Sequence, residues 1–511
     1  MMMVKIKKIL ACFLFICLGL FLYTRITYLF REVSCSRDNI TGFEKEGNID
    51  VMCIGASTMV EYYQPLTAWH EYGYTSYDYA TLYGQIDLYQ TYIQRVLETH
   101  NPKLFVVDLR MLTTLSDDVY EQGLRFWTDS LPVFSKDRFQ SLKEYFNNHS
   151  LSETDQITSY YFDIAKYHTN TEVLSNENNW RYLNNEGNAR YKGYEPSDVH
   201  HFFDKPDIET EKKAELTPMQ SEVLYGLLDY CQENQLEVLF VVCPYIIPEE
   251  DQLVFNTVRD IVASYGYSFI NANEYYDEMG LDFSVDMKNI NHVNSVGAEK
   301  YTNFLAGYIV QNYTIPIRGD GTETEENFLQ WDTDYEYFAE ELEQEKKRVY
   351  QAVEEKQAAL KIAETMKDCD NFTEWSLKAQ NEHYTVIVCV NWDEVDERNI
   401  EVDDMQSLKV WGISDSLKEH YLYICSGTDI ICQINQTVEI ESSNWIGVID
   451  GLGQMQCNAL IGDEILLEVG DNTFHKPDSG IQFVLVDNDI KEVIDSFELI
   501  IDENGSVQMK R

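Results

Sequence analysis

Asn48-Ile49-Asp50-Val51-Met52-Cys53-Ile54-Gly55-Ala56-Ser57-Thr58 decides how this chain is read. Ile49 to Ile54 form a short apolar strand that ends at Gly55, where the backbone is free to turn sharply. The serine that follows then stands at the carboxyl end of a strand, where sites form in open α/β sheets. A helix starting there offers unpaired N–H groups to a developing negative charge. The alternative is that Ser57 only caps that helix.

Working outward, the α/β rhythm repeats. Thr75 to Tyr79 is a candidate second strand, and Leu88 to Thr99 has helical spacing ended by Asn101-Pro102. Leu104 to Asp108 is the next strand. Strand, helix and strand in that order imply parallel pairing. A segment of about 111–205, rich in tyrosine and asparagine, interrupts the rhythm and is read as a helical insertion. It resumes with a helix from Thr217 to Glu233, a strand from Leu236 to Cys243, a helix from Glu249 to Tyr265, a strand from Ser268 to Asn271 and a final helix from Ser295 to Asn312.

Beyond 313 the character changes. Ile315 to Glu326 reads as a linker, and Phe328 to Lys367 as a long solvated helix, a coiled-coil spacer being one form of it. From about 380 to 511, strand-like runs such as Tyr384 to Val388, Tyr421 to Ile424, Glu464 to Val469 and Ile481 to Val486 predict a separate β-rich domain. The expected organisation is therefore an anchor (1–31), an α/β domain (45–313), a linker with a long helix (314–370) and the β-rich domain.

The N-terminus carries Lys5, Lys7 and Lys8 before an apolar run from Ile9 to Tyr23 that continues past Arg25 to Phe30. About 20 residues cross a bilayer, and lysines before a span hold that end in the cytoplasm. No small-residue cleavage site follows. A retained signal anchor is expected, with a cleaved signal peptide as the alternative. Both place the rest of the chain outside the cell membrane.

The formal net charge of −48 repels nucleic acid, which is excluded as a partner. The acidic run Asp393, Glu394, Asp396 and Glu397 lacks the spacing of a calcium loop. The 11 cysteines contain no C-x-x-C pair. No metal centre or other cofactor is expected. Cys53, Cys243 and Cys389 lie in apolar runs and read as small buried side chains. The 35 tyrosines suit sugar-contacting surfaces, but interior packing is the plainer reading.

His292 supplies the second half of a reactive pair. It lies in Asn289-Ile290-Asn291-His292-Val293-Asn294, just before the last helix of the α/β domain. Imidazole is able to take a serine proton and pass it to a leaving group.

These residues carry a resemblance. Ile49 to Thr58 looks like the first block of SGNH/GDSL-like hydrolases of Gram-positive bacteria, the group that includes teichoic-acid D-alanyl transfer and alginate O-acetylation proteins. Met287 to Thr302 resembles their last block, and Gly84-Gln85 their second. The resemblance covers about 45–313. It implies a flavodoxin-like three-layer sandwich with a parallel sheet and a serine esterase or O-acyltransferase acting on an acylated cell-surface polysaccharide. Partner proteins of a polysaccharide export or modification system would then be expected. In this pattern Ser57 is the nucleophile, His292 the base, and Asn289 or Asp286 orients the imidazole. Gly84, Gln85 and Arg110 would serve the oxyanion or substrate, and Arg125, Asp129 and His168 of the insertion are candidate cleft residues. The chain departs from the pattern at Ala56, where an acidic residue is usual, and at Asn289, where a carboxylate is usual. An SGNH-fold protein that is catalytically silent and binds glycan or scaffolds an envelope assembly is the competing expectation. Val386 to Glu394 and Gly480 to Asp487, with Val493 to Phe497, resemble the interleukin-like EMT inducer fold, which implies a β-sandwich with glycan binding; a spacer or dimerisation module is the alternative.

Overall fold

The computed structural model describes the backbone of residues 2–116, 120–149, 155–207, 210–318, 326–390, 402–413, 421–426, 429–435, 443–448, 456–461, 466–469, 472–474, 481–488, 492–501 and 506–511. The acidic run of Asp393 to Glu397, the linker glycines Gly319 and Gly321, and the Asn391 to Glu394 and Gly480 parts of the C-terminal motifs lie outside the described residues. The chain divides into two compact units, Met1–Tyr350 and Gln351–Arg511.

The first unit is built on five strands: β1 (Val51–Gly55), β2 (Ser76–Ala80), β3 (Leu104–Asp108), β4 (Val238–Val242) and β5 (Ser268–Asn271). All pair in parallel, in the order β2-β1-β3-β4-β5. Every residue of β1 to β4 is buried. Both faces of the sheet are therefore covered, which is why these strands are apolar without alternation. The chain leaves β1 toward one side for β2 and returns on the other side for β3. That reversal opens a crevice at the carboxyl end of β1.

Tyrosine fills much of this core. Tyr62, Tyr63, Tyr74, Tyr77, Tyr79 and Tyr89 are fully buried. Several hydroxyls find partners inside: Tyr63 and Tyr74 bond to each other at 2.6 Å, and Tyr77 donates to the Asn39 carbonyl at 2.7 Å.

Between β3 and β4, helices Glu121–Thr128, Lys136–Asn148, Asp155–Tyr161 and Ile164–Tyr167 are followed by two 3-10 segments ending at Asn184. From 185 to 217 the described chain holds no helix or strand. This strap ties onto the domain through backbone bonds, Glu195 N–H to Val60 O (2.7 Å), Ser295 N–H to Ser197 O (2.9 Å) and His201 N–H to Met287 O (2.9 Å). It thus backs both the turn after β1 and the segment leading to His292.

The helix Glu326–Lys367 is not the solvated spacer that its charge predicted. Trp331, Phe338 and Leu342 are buried with the core of the first unit. Trp69 packs on Trp331 (5.6 Å between ring centres) and its indole N–H reaches Asp332, while Tyr191 and Tyr194 pack on Phe338. Apolar residues seven and four apart make one helical stripe, and here that stripe faces a domain instead of another helix.

The second unit contains a six-stranded antiparallel sheet in the order Asp429–Asn435, Tyr421–Ser426, Tyr384–Val390, Ile481–Asp487, Glu492–Ile501, Val507–Lys510. A separate four-stranded antiparallel sheet runs from Ser443–Val448 to Asn472–Phe474. The predicted β-rich character is observed. Among the described residues, however, its core is helix on sheet. Phe372 and Trp375 of helix Phe372–Ala379 and Leu408 of helix Val402–Val410 cover Val386, Val388, Phe483, Leu485 and Phe497. Trp375 is the centre, fully buried, 4.8 Å from the Phe497 ring and donating to Asp495 at 2.9 Å. Trp375→Ala should lower the stability of this unit by about 3–5 kcal/mol, measured by urea unfolding, because a large cavity remains and the buried Asp495 loses its indole donor.

Candidate active site

Ser57 opens the short helix Ser57–Val60 directly after β1, with Ala56 in extended backbone as its cap. His292 comes from a two-stranded ribbon, Met287–Asn289 paired antiparallel with His292–Val293. Asn289 and His292 are cross-strand partners in that ribbon, so the two side chains project together. The ribbon runs straight into helix Ser295–Asn312. Asn294 caps that helix, accepting from the N–H groups of Val296 and Gly297.

These two regions meet. Ser57 Oγ lies 2.8 Å from His292 Nε2, across 235 residues of sequence. On the other side of the ring, His292 Nδ1 is 3.1 Å from Asn289 Oδ1. An amide oxygen only accepts, so Nδ1 carries the proton and Nε2 presents its lone pair to the serine hydroxyl. Asp286 does not take the orienting place. It is buried, accepts from Lys300 Nζ (2.6 Å) and from the Asp282 N–H (2.6 Å), and burial raises its carboxyl above the ordinary value.

The histidine loop is held from three directions. Tyr62 Oη donates to the Asn291 carbonyl at 2.6 Å, and Arg110 donates to the same oxygen and, at 2.8 Å, to Asn291 Oδ1. The Ile246 N–H donates to Ile290 O at 3.0 Å. Arg110 also stacks on Tyr245, 3.8 Å from the ring centre. Both terminal nitrogens of Arg110 are thus engaged with the histidine loop. Behind Ser57, Thr58 Oγ1 donates to Asp108, whose other oxygen accepts the Cys243 N–H at 3.2 Å. Burial raises the Asp108 carboxyl, opposed by the Thr58 bond.

Gly84 approaches the turn closely. A Cβ there would meet Gly55 O at 2.8 Å and Ala56 Cα at 3.2 Å. Its N–H donates to Thr81 O at 3.1 Å. Gln85 is engaged with Tyr83 O (2.7 Å) and the Tyr145 hydroxyl (3.2 Å). Gly84 and Gln85, with Tyr83, Ile86, Met111, Leu115 and others, line a mainly apolar cavity of about 300 Å3 beside the Ser57 turn. A larger, polar cleft of about 570 Å3 around Gln252, Asn256, Arg259 and Glu274 includes neither Ser57 nor His292 in its lining.

Arg125, Asp129 and His168 are elsewhere. Arg125 is buried on the Tyr160 ring (3.6 Å) and donates to Ser159, and Asp129 accepts the Tyr167 hydroxyl at 2.5 Å. His168 is exposed, bonded only locally to Ala165 O in what is described. None of the three lines a described cavity. Sequence reasoning missed Tyr62 and Asn291, the clamp on the histidine loop. The one available signal was positional, since Tyr62 follows the Ser57 turn and Asn291 precedes the histidine.

Burial, then the positive charges of Arg110 and Lys288, pull the His292 imidazole down to about 3. An unfolded histidine titrates near 6.5. Between these values the unfolded chain binds the extra proton, so stability rises with pH across that window and is lost as pH falls from about 6.5 toward 3. Unfolding curves between pH 7 and 4 should show a shallower pH slope for His292→Gln than for the native chain.

Compared with protein-family models, with curated proteins and with solved structures, this chain finds no match.

Proposed function

We propose that this chain is an SGNH-type serine esterase or O-acyltransferase, anchored in the cell membrane with its domains outside and acting on an acylated cell-surface polysaccharide. The observation that carries the reading is the hydrogen-bonded series Ser57–His292–Asn289 at the carboxyl end of β1. His292 Nε2 takes the Ser57 proton as Oγ attacks an ester carbonyl. The carbonyl oxygen gains negative charge, which the Ser57 N–H at the start of its helix would meet. Collapse of the intermediate breaks the ester bond, the imidazolium gives its proton to the leaving alkoxide, and the acyl group stays on Ser57. Water or a sugar hydroxyl then takes the acyl group by the same proton transfers in reverse order of roles. The apolar cavity beside Gly84 suits the acyl portion. The N-terminal helix Lys5–Phe30 is long and apolar enough to cross a membrane. The polymer and any partner proteins of its assembly follow from the family resemblance.

A specific observation favours the silent, glycan-binding or scaffolding reading as second. The Gly84 N–H is engaged in its own turn and both terminal nitrogens of Arg110 are engaged with Asn291, so two of the expected oxyanion donors are committed elsewhere. Losing one such donor costs on the order of a hundredfold or more in rate.

A fluorophosphonate probe separates the two. Covalent labelling of the native protein that vanishes in Ser57→Ala and slows by about 100-fold or more in His292→Ala supports the enzyme; an unlabelled native protein at every pH from 5 to 9 leaves only the scaffold. Asn289→Asp places a charge beside Nδ1 that stabilises the imidazolium. It should raise both the His292 pKa and ester turnover, the latter on the order of tenfold or more.

A further inference from the structure

The N-terminal helix does not leave the first unit as a loose tether. From Lys5 its side chains are exposed as far as Leu22, and cover begins at Tyr23, with Thr27, Leu29 and then Arg31 buried. The cover is supplied by the insertion. Tyr23 packs against Phe134 at 6.0 Å, the Tyr28 hydroxyl accepts the Val133 N–H, and Asn170 donates to Phe30 O at 3.0 Å. Arg25 Nη1 donates to Leu183 O (2.9 Å) and Asn184 Oδ1 (2.7 Å).

At the foot of the helix the grip is ionic. Arg31 Nε and Nη2 donate to Asp163 at 2.9 and 2.7 Å, and Nη1 donates to the carbonyls of Asp129 (2.6 Å) and Leu131 (2.7 Å). Arg138 also bonds Asp163. All three charged groups are buried. Buried ions are tolerated only while their partners stay in place, so the helix end is fixed in angle and rotation.

The level of the bilayer follows from length. Lys5 to Arg25 is about 20 residues, hence about 30 Å at 1.5 Å per residue, the thickness of the hydrocarbon core. Lys5 then marks one face and Arg25 the other. Two large apolar side chains on the segments that touch this end of the helix are exposed. Phe134 is 53% exposed although it touches Tyr23. Trp180 is 48% exposed and sits in the 3-10 segment Glu177–Asn184 that ends on Arg25. Aromatic rings and an arginine at the end of a span are what the headgroup zone accommodates.

We propose that the described parts of the insertion, 129–149 and 155–184, form a collar that seats the first unit directly on the outer bilayer surface, with Phe134 and Trp180 immersed among the lipid headgroups. This rests on the reading that the N-terminal helix spans the membrane; it does not depend on the catalytic reading. The lipid bilayer is the occupant because Phe134 packs on Tyr23 of the apolar helix and the segment that carries Trp180 bonds its Arg25. A domain held this way keeps a fixed height and tilt over the membrane, so it reaches only polymer close to the surface.

The test uses the full-length chain in zwitterionic lipid nanodiscs, with lipids brominated near the headgroup or at the chain ends. Headgroup-proximal bromine should quench about one eighth of the emission of the eight tryptophans, and Trp180→Phe should abolish that component. Adding Phe134→Trp to Trp180→Phe should restore it. Equal quenching in native and Trp180→Phe chains, with no gain from Phe134→Trp, overturns the collar while the membrane anchor stands. A mature chain isolated without residues 1–31 overturns both.

Discussion

The carbonyl oxygen of Asn291 is the point on which the site depends. It accepts from Tyr62, which follows the Ser57 turn, and from Arg110, which follows β3. One backbone oxygen therefore joins the segments after two adjacent strands to the loop that carries the histidine. Release that oxygen, and the loop keeps the Ile246 bond to Ile290 O and the Arg110 bond to Asn291 Oδ1 but loses the Tyr62 tie; Asn289 does not replace it, since it belongs to the same ribbon and would move with it. Burial keeps the Tyr62 phenol protonated, far above its ordinary value, so it remains a donor at any pH the fold survives. The clamp also shapes the base it positions. Burial lowers the imidazole pKa most, and the Arg110 guanidinium that fixes the loop lowers it further.

The parallel sheet was readable in the chain because its strands are buried on both faces and so appear as unbroken apolar runs, Val51 to Ile54 and Leu104 to Val107 among them. Ser57, His292 and Asn289 were readable because each lies in a polar turn beside such a strand or just before a helix, where side chains face a crevice. The clamp was not. Tyr62 donates to a backbone atom, and any residue type at 291 offers the same carbonyl. The assignment of Arg110 to the oxyanion looked at its neighbourhood in sequence, whereas its reach across to Asn291 is set by the sheet order. For the long helix Glu326–Lys367, the abundance of Glu and Lys outweighed a sparse stripe of Trp331, Phe338 and Leu342. That stripe has meaning only once Trp69, Tyr191 and Tyr194 are known to face it.

Charge tells a similar story. A net charge of −48 describes the surface, but the insertion buries Arg31, Arg125 and Arg138 around Asp129 and Asp163. Composition averages over both. Arg125 and Asp129 were read from the sequence as candidate cleft residues of the insertion. Their surroundings, Tyr160 and Tyr167 with the Arg31 guanidinium nearby, make them instead part of the mass that grips the N-terminal helix. The same insertion therefore does two jobs at its two ends: its helices hold the N-terminal helix, and its returning strap at 195–201 backs the turn after β1 and the ribbon of His292.

Asn289 in place of a carboxylate links the remaining features. A carboxylate would hold the imidazolium and raise the histidine toward neutrality. An amide fixes the tautomer without stabilising the charge, and burial, then Arg110 and Lys288, push the ring toward the neutral form. The base is thus always available but weak. A weak base suits a reaction in which the acyl donor is already activated, because less proton transfer is needed at the attack step. It suits poorly the cleavage of an ordinary, unactivated ester by water. Within the proposed chemistry a weak base therefore favours an activated acyl donor in the step that loads Ser57, whichever of water or a sugar hydroxyl takes the acyl group next.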